Sequence, residues 1–147
     1  MTLTPTRILA ALAVLLLAMP AFAQSSPVGT WRTVDEETNQ PKSIVRVTES
    51  GGTIRGEIVR LLPEGSTCVD CAPRFNGQTL RGTEILSGFR RNGSSTTWEG
   101  GRITDPKSGR TYRAKMQVQS DGRLKVWGYV GMDTPLTRRA QYWVRER

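Results

Sequence analysis

The sequence predicts an all-β domain, a small antiparallel up-and-down barrel of eight strands with at most one short helical turn. Turn signals rich in Gly, Asn, Asp and Pro recur at the spacing of short strands, and apolar residues alternate with polar ones between them. Outside the N-terminal segment, no amphipathic helix longer than about two turns can be recognised. Closing the sheet into a barrel removes exposed edge strands, and the alternative architecture is an open β-sandwich.

The N-terminal segment, residues 1–23, has the three parts of a secretory signal peptide. Arg7 is its charged residue, residues 8–19 form an uncharged apolar run, and Ala21-Phe22-Ala23 is a small-x-small cleavage site. The apolar run is shorter than the ~20 residues that a spanning helix needs, so we expect no transmembrane span after signal removal. The sequence thus predicts a periplasmic or secreted protein whose residues 24–147 form a single domain.

Composition favours a basic binding protein over an enzyme. Of the 21 Lys and Arg residues one lies in the signal segment, and all 13 Asp and Glu residues follow it, so the mature net charge is +7. This charge favours anionic envelope components as partners rather than nucleic acid, although it also serves solubility alone. The absence of histidine excludes Ser-His-Asp and Cys-His nucleophiles and imidazole zinc sites, so we expect no enzyme activity, metal or cofactor. Nothing in the sequence indicates an oligomeric state.

The turns and strands follow one another in order along residues 24–147. The turn segments contain Gly, Asn, Asp, Ser or Pro, which suit tight turns, and they are 36–42, 50–52, 63–77, 92–95, 105–109, 120–122 and 131–137. The predicted strands are 29–35, 43–49, 53–62, 83–91, 96–103, 111–119, 123–130 and 138–147. Residues 78–82 are the one place where a short helical turn could form.

Alternation assigns the faces of the strands. In the sixth strand Tyr112, Ala114, Met116 and Val118 alternate with polar residues, a period of two that has no helical alternative. The large residues predicted to point inward are Ile54, Ile58, Phe89, Tyr112, Met116, Leu124 and Val126. We expect them to fill or nearly fill the interior, because eight strands enclose a space just wide enough for side chains. The alternative is a cavity, with Phe89, Tyr112 and Met116 as candidate ligand contacts.

Two aromatic residues of the seventh strand are predicted to lie outside the barrel. Trp127 and Tyr129 share the parity of the basic residues Arg123 and Lys125, opposite to the apolar face of the strand. Exposed aromatics beside cations suit contact with sugars, bases or lipid headgroups, so both are candidate ligand contacts. A bulge near Gly128 that turns one of them inward is the alternative.

The longest irregular segment, 63–77, holds both cysteines and is predicted to be a lid or a crossover. In an oxidising compartment Cys68 and Cys71 most simply form one disulfide, which would stiffen this loop. Cys-x-x-Cys is also a thiol-disulfide exchange motif, but the surrounding Pro and Gly residues do not suit the helix N-terminus that such chemistry uses. A metal site is less favoured still, because two thiols do not complete a tetrahedral site.

The segment Asp105-Pro106-x-x-Gly109 is a strong turn motif. Pro106 fixes φ, Gly109 accepts a positive φ, and Asp105 is expected to cap its own backbone. As a catalytic carboxylate Asp105 would need an acidic partner, and Glu99 is the acid near it in the sequence. We therefore interpret the motif as structural.

The ordered motifs of residues 29–145 are similar to two known groups of proteins. Gly29-Thr30-Trp31 with Arg145 on the last strand resembles the lipocalin signature, which implies that Trp31 packs against Arg145 and closes one end of the barrel. The chain also resembles the bacterial family catalogued as domain of unknown function 2147, through the motifs Gly29-x-Trp31, Cys68-x-x-Cys71, Gly101-x-Ile103-x-Asp105-Pro106-x-x-Gly109-x-x-Tyr112, Leu124-x-Val126-x-Gly128-Tyr129-x-Gly131 and Trp143-x-Arg145. That resemblance implies an exported, lipocalin-like barrel and no particular reaction. The chain has no segment for the external helix of familiar lipocalins, which argues against a large, deep cavity.

Three functions follow as hypotheses. The first is a non-enzymatic periplasmic barrel that binds a small apolar or amphipathic molecule at its open mouth, with the Cys68 to Cys71 loop as a lid. The second is an envelope-interaction module whose basic face and exposed aromatics bind an anionic surface or partner. The third is a Cys-x-x-Cys redox protein. Because Trp31 is assigned to the closed end, the opposite rim is where a ligand site is expected.

Overall fold

Eight antiparallel strands form a closed barrel in a computed structural model of the chain, which describes residues 26–147. The strands are β1 (Gly29–Val34), β2 (Pro41–Ser50), β3 (Thr53–Leu61), β4 (Glu84–Arg91), β5 (Thr97–Thr104), β6 (Thr111–Val118), β7 (Leu124–Tyr129) and β8 (Arg138–Arg145). The predicted all-β barrel is confirmed, and every strand boundary falls within about two residues of its predicted position. The predicted signal peptide, residues 1–23, lies outside the described residues.

Residues 78–82, where a short helical turn could have formed, are irregular. Leu80 adopts a positive φ of 59°, outside the right-handed helical region. Its side chain is buried in the core cluster, so tertiary packing rather than local propensity decides the path of this segment. Nothing in residues 26–147 is a helix long and apolar enough to cross a membrane.

Each strand pairs with the next along the chain, and β1 pairs with β8 to close the barrel. This closing seam is narrow: only Trp31↔Arg145 and Arg32↔Val144 are in register. The hairpin order places successive loops alternately at two ends of the barrel. The closed end holds residues 26–28 and the loops 51–52, 92–96 and 119–123, and the open end holds the loops 35–40, 62–83, 105–110 and 130–137.

The closed half of the barrel is solid. Large inward side chains without solvent exposure pack there, namely Trp31, Ile54, Phe89, Met116 and Leu124. Two inner-face glycines make room for their neighbours, since a Cβ on Gly101 would lie 2.3 Å from the Phe89 ring and one on Gly56 would lie 2.9 Å from Leu86. Burying each such large side chain contributes ~1.5–3 kcal/mol, so this half supplies a large share of the stability.

Trp31 and Arg145 lie together at the closed end. The Arg145 guanidinium carbon is 4.2 Å from the centre of the Trp31 ring. The Trp31 indole N–H donates to the Pro27 carbonyl at 2.8 Å, and Arg145 donates to the carbonyls of Val28 and Ser26, each at 3.2 Å. Gly29 is required beside them, because its φ is +143° and a Cβ would lie 2.6 Å from Arg145 Nη1. These contacts fasten the N-terminal segment across the end of the barrel.

Candidate ligand-binding cavity

A cavity of about 810 Å³ occupies the open half of the barrel. The expectation of a filled interior is therefore wrong. The largest inward residues, among them Phe89 and Met116, crowd the closed half, while the open half carries small inward residues such as Gly128, Thr33 and Ser43. Alternation along a strand gives the face of a residue but not its height in the barrel, which is why the sequence did not reveal the space.

The lining of the cavity is apolar inside and polar at the rim. The apolar lining residues inside the barrel include Ile58, Leu61, Leu80, Ile85, Ile103, Val126 and Trp143. The inner polar groups pair with one another in two hydrogen bonds. Thr33 Oγ1 lies 2.7 Å from Ser43 Oγ, and the Trp143 indole N–H donates to Gln141 Oε1 at 3.1 Å. Charged lining residues sit on the loops and strand ends of the open end, and they are Asp35, Glu36, Glu37, Lys42, Asp105, Lys107 and Arg139. This distribution suits a molecule with an apolar body and a polar end.

Two turns of the same geometry flank the mouth, at residues 35–40 and 105–110. In each, the first and last residues pair through the main chain, Asp35 N–H to Gln40 O at 2.8 Å and Asp105 N–H to Arg110 O at 2.9 Å. Each aspartate carboxylate also accepts bonds from the next residues of its own turn. The backbone N–H of Thr38 is the main reason that the pKa of Asp35 is lowered.

Asp105 is consequently a turn residue. Its Oδ1 accepts the Lys107 N–H at 3.0 Å and its Oδ2 accepts the Ser108 hydroxyl at 2.9 Å. Glu99, the acidic partner that catalysis would need, instead lies 3.9 Å from Lys115 Nζ on β6. The two carboxylates thus serve separate structural contacts.

The cysteine loop is ordered by its own contacts. The predicted disulfide between Cys68 and Cys71 is confirmed. A short ladder follows it, in which the Cys68 N–H donates to Gln78 O and the Gly77 N–H donates to Cys68 O, both at 2.8 Å. Cys68 and Phe75 also pack against the core cluster. Both cysteines line the cavity, so the disulfide forms part of its wall.

Three hydrogen bonds attach the cysteine loop to the turn 105–110. The Ala72 N–H donates to Pro106 O at 3.1 Å, Lys107 Nζ donates to Val69 O at 2.9 Å, and Arg74 Nη2 donates to Gly109 O at 3.1 Å. A Cβ on Gly109 would lie 2.8 Å from Ala72 Cβ, so the turn motif also needs glycine for this close approach. These bonds hold the loop at the mouth of the cavity.

Trp127 lies on the outer wall, as its parity predicts, but it is not free for stacking. The register of β6 and β7 runs without a break through Lys115↔Trp127 and Ala114↔Gly128, so no bulge turns either aromatic inward. The loop 130–137 covers Trp127, whose indole N–H donates to Asp133 Oδ2 at 3.2 Å. Trp127 is 7% exposed as a residue, and the expectation of an exposed Trp127 is wrong for this reason.

Asp133 is the centre of that outer contact. Lys115 Nζ lies 3.1 Å from Asp133 Oδ2, and Arg138 Nε lies 3.1 Å from Oδ1 in an ion pair without hydrogen-bond alignment. Burial raises the pKa of the Asp133 carboxyl, but the bonds from Trp127 and Lys115 outweigh it and the pKa lies below its usual range. The hydrogen bond between Lys115 and Asp133 also raises the pKa of Lys115. Asp133 therefore pins the loop to the wall as a charged group.

The five candidate ligand contacts occupy three different places. Tyr112 lines the cavity from the inner face of β6, whereas Tyr129 borders it at the open end of β7 with its ring on the outer face, 5.8 Å from Lys115 Nζ. Phe89 and Met116 are wholly buried in the packed core below the cavity, and Trp127 is outside the barrel. Height along the barrel separates Tyr112 from Phe89 and Met116, whereas the face of the strand separates Tyr129 from all three.

Several residues that line the cavity were not predicted from the sequence. In β8, Arg139, Gln141 and Trp143 all line the cavity, and they alternate with Ala140, Tyr142 and Val144. That period of two was the signal that would have found them. Leu80 gave no such signal, because it lies in an irregular segment.

Comparison with known proteins supports the architecture. No curated protein matches the chain. Among solved structures, the protein HP1028 from the human pathogen Helicobacter pylori, which is described as belonging to the lipocalin family, is similar with a TM-score of 0.66 and 18% sequence identity. The similarity covers 83% of this chain and 84% of that one. At this identity the likeness shows the fold, a lipocalin-like barrel.

Residues 29–145, which include all eight strands, match the family described as "Uncharacterized protein conserved in bacteria (DUF2147)". This match confirms the resemblance that the ordered motifs indicate. The chain belongs to the DUF2147 family.

Proposed function

We propose that this protein is an exported, non-enzymatic carrier of a small apolar or amphipathic molecule, which it holds inside the barrel. The observation that carries the proposal is the cavity of about 810 Å³ with an apolar interior and a polar rim. Cavities of roughly 300–1,000 Å³ with mostly apolar walls are typical of small-molecule sites. The lipocalin-like fold supports the same reading.

The chemistry of the lining limits the ligand. The apolar body would lie against Ile58, Val126 and Trp143, which are at most 3% exposed. The polar end would lie at the rim, where four acids and three bases line the mouth. Since neither sign of charge dominates there, shape and apolar burial rather than one ion pair would select the ligand.

The cysteine loop would act as the lid of this site. Its attachment to the turn 105–110 spans only one side of the mouth, through Lys107, Arg74 and Ala72. These are few and partly exposed bonds, so opening costs far less than unfolding the barrel. Ligand entry is therefore expected to require loop movement with the strands left intact.

A matched pair of valine substitutions tests the cavity. Val126 is 1% exposed and lines the cavity, while Val144 is 40% exposed on the outer wall. Val126→Phe should weaken binding of the apolar probe Nile red by about tenfold or more, because the phenyl ring takes up cavity volume. Val144→Phe should leave binding unchanged. Fluorescence titration gives both affinities, and thermal unfolding checks that both variants are folded.

Native mass spectrometry of the purified protein adds a direct test. A co-purifying small molecule that Val126→Phe loses would support the proposal. Nile red binding that is equal in both valine variants and the parent would place the probe on the surface and overturn it.

A second candidate function, contact with an anionic envelope surface, is favoured by how charge is distributed. The strands carry fourteen Lys and Arg residues against four Glu residues, whereas the open-end loops carry four bases against seven acids. On the outer wall Arg102 and Arg113 are directly opposite each other, and neither has an ion pair within the described part of the chain. Like charges placed opposite each other destabilise a sheet and would be relieved by an anion.

Salt dependence tests this second candidate. Binding to vesicles rich in phosphatidylglycerol should weaken steeply as salt rises, and Arg102→Gln with Arg113→Gln should weaken it further. Binding that changes neither with salt nor with these substitutions would exclude the basic wall as the membrane-binding surface.

A further inference from the structure

The most exposed large apolar side chains all lie on two loops of the open end. Val69 on the cysteine loop is 65% exposed, and on the loop 130–137 Val130 is 66%, Met132 79% and Leu136 97% exposed. The other exposed large hydrophobic residues among residues 26–147 are 37% to 40% exposed and lie elsewhere. Concentrated apolar exposure of this kind marks an interaction surface.

The loop that carries three of these side chains is held in one conformation. Asp133 fastens it to Trp127 and Lys115 on the wall. Thr137 Oγ1 donates to the Met132 carbonyl and accepts the Thr134 N–H. The apolar side chains are thus presented by an ordered loop, so docking would cost little further ordering of the main chain.

The exposed surface is continuous with the cavity. Val69 and Val130 belong to the exposed set and also line the cavity wall. Apolar surface therefore extends from the outside of the rim into the barrel. Val69 and Val130 thus offer an apolar path at the rim beside its charged residues.

We propose that the open end docks on the surface of a zwitterionic lipid bilayer, with Val69, Val130, Met132 and Leu136 inserted below the headgroups. Four side chains are too few for a stable protein interface, which takes about 20–30 residues on each side. They are enough for reversible contact with a bilayer, whose strength grows with buried apolar area. The seven acids and four bases of the open-end loops give no attraction to an anionic surface, so the zwitterionic bilayer fits best.

Docking in this orientation would join the cavity to the bilayer interior. A molecule could then pass between the two without crossing water, which removes the cost of hydrating its apolar body. This consequence rests on the proposed function, whereas the docking itself does not.

Vesicle flotation tests the docking. The full mature protein should float with phosphatidylcholine vesicles, and should do so equally at low and at high salt. Leu136→Asp combined with Met132→Asp should weaken partitioning by about tenfold or more, because both charges would enter the apolar layer. Val28→Asp combined with Val144→Asp, at positions 39% and 40% exposed and outside the open-end loops, is the matched control and should change it less than about twofold.

Each other outcome would overturn the docking. A parent protein that stays unbound excludes it, and binding that needs anionic lipid and disappears with salt assigns the contact to the basic wall. A dimer that the Leu136 and Met132 substitutions disrupt would assign the patch to a second copy. Nile red binding without vesicles separates the two proposals: its failure in the parent counts against the cavity function, while flotation alone decides the docking.

Discussion

Trp31 and Arg145 show how single residues close one end of the barrel. Their side chains are neighbours because Trp31 and Arg145 are directly paired across the β1–β8 seam. A cation over an indole contributes ~0.5–2 kcal/mol, and burial of the tryptophan itself contributes more. Trp31 is wholly buried and is distant from the open end, so we expect it to close the barrel rather than to contact a ligand.

Trp31→Ala should lower the free energy of unfolding by about 3–5 kcal/mol, through lost burial and the cavity left behind. Arg145→Met is the milder companion variant, which keeps much of the side-chain volume and removes the guanidinium contacts. Urea unfolding measures both. Nile red affinity of the folded fraction should not change, and a variant of full stability that loses the probe would contradict the closure role.

Asp133→Asn should destabilise the protein at neutral pH by about 1–3 kcal/mol, because bonds to a charged acceptor are lost. The pKa of Asp133 is lower in the folded state than its ordinary value, so its stabilisation is fully present above the unfolded pKa of about 4. That stabilisation is lost as pH falls through the lowered folded value. The difference between variant and parent should thus shrink as pH falls below about 4.

Urea unfolding at several pH values measures this effect. Asp121→Asn is the control, because the pKa of that exposed carboxyl is also lowered, by Arg123, yet it anchors no loop. A penalty for Asp133→Asn that stays constant to pH 3 would show that shape rather than charge is responsible.

At the scale of the elements, the strands could be predicted from the sequence, whereas the conformation of the cysteine loop could not. The alternation in 111–119 fixed both the strand and its faces, because a period of two depends on neighbouring residues alone. The cysteine loop depends on bonds such as Lys107 to Val69, which join residues 38 positions apart. No local pattern contains such a contact. From its composition alone, the loop could be interpreted as a lid. Its contacts with the turn 105–110 became known only from the structure.

The disulfide should matter to this loop more than to the barrel. Replacing Cys68 and Cys71 with Ser should cost about 2 kcal/mol or less, because the closed loop is short. Nile red should dissociate several-fold faster, and backbone amides of residues 66–78 should exchange faster with deuterium. Dithiothreitol should reproduce these changes in the parent and leave the Ser variant unaffected. Unchanged probe kinetics would remove the loop from the role of lid.

At the scale of the whole molecule, the two halves of the barrel differ in packing: one is a solid core and the other encloses the cavity. The closed half is packed, as Phe89 over Gly101 shows, and the open half keeps space around Gly128. The sequence predicted the barrel and the residues that face inward, but it did not predict the division. Which inward residues meet depends on strand tilt and register between distant segments, and the sum of those placements creates the cavity.

The narrow β1–β8 seam also determines when the barrel can exist. All other pairings join neighbours in sequence, and loop-closure entropy favours them early, whereas this one joins the two ends of the described chain. During synthesis β1 must wait for β8, the last of these eight strands to be made. A chain that stops before Arg138 would leave the edges of β1 and β7 unpaired, and such edges invite pairing between molecules. Premature termination should therefore yield aggregates rather than a smaller barrel.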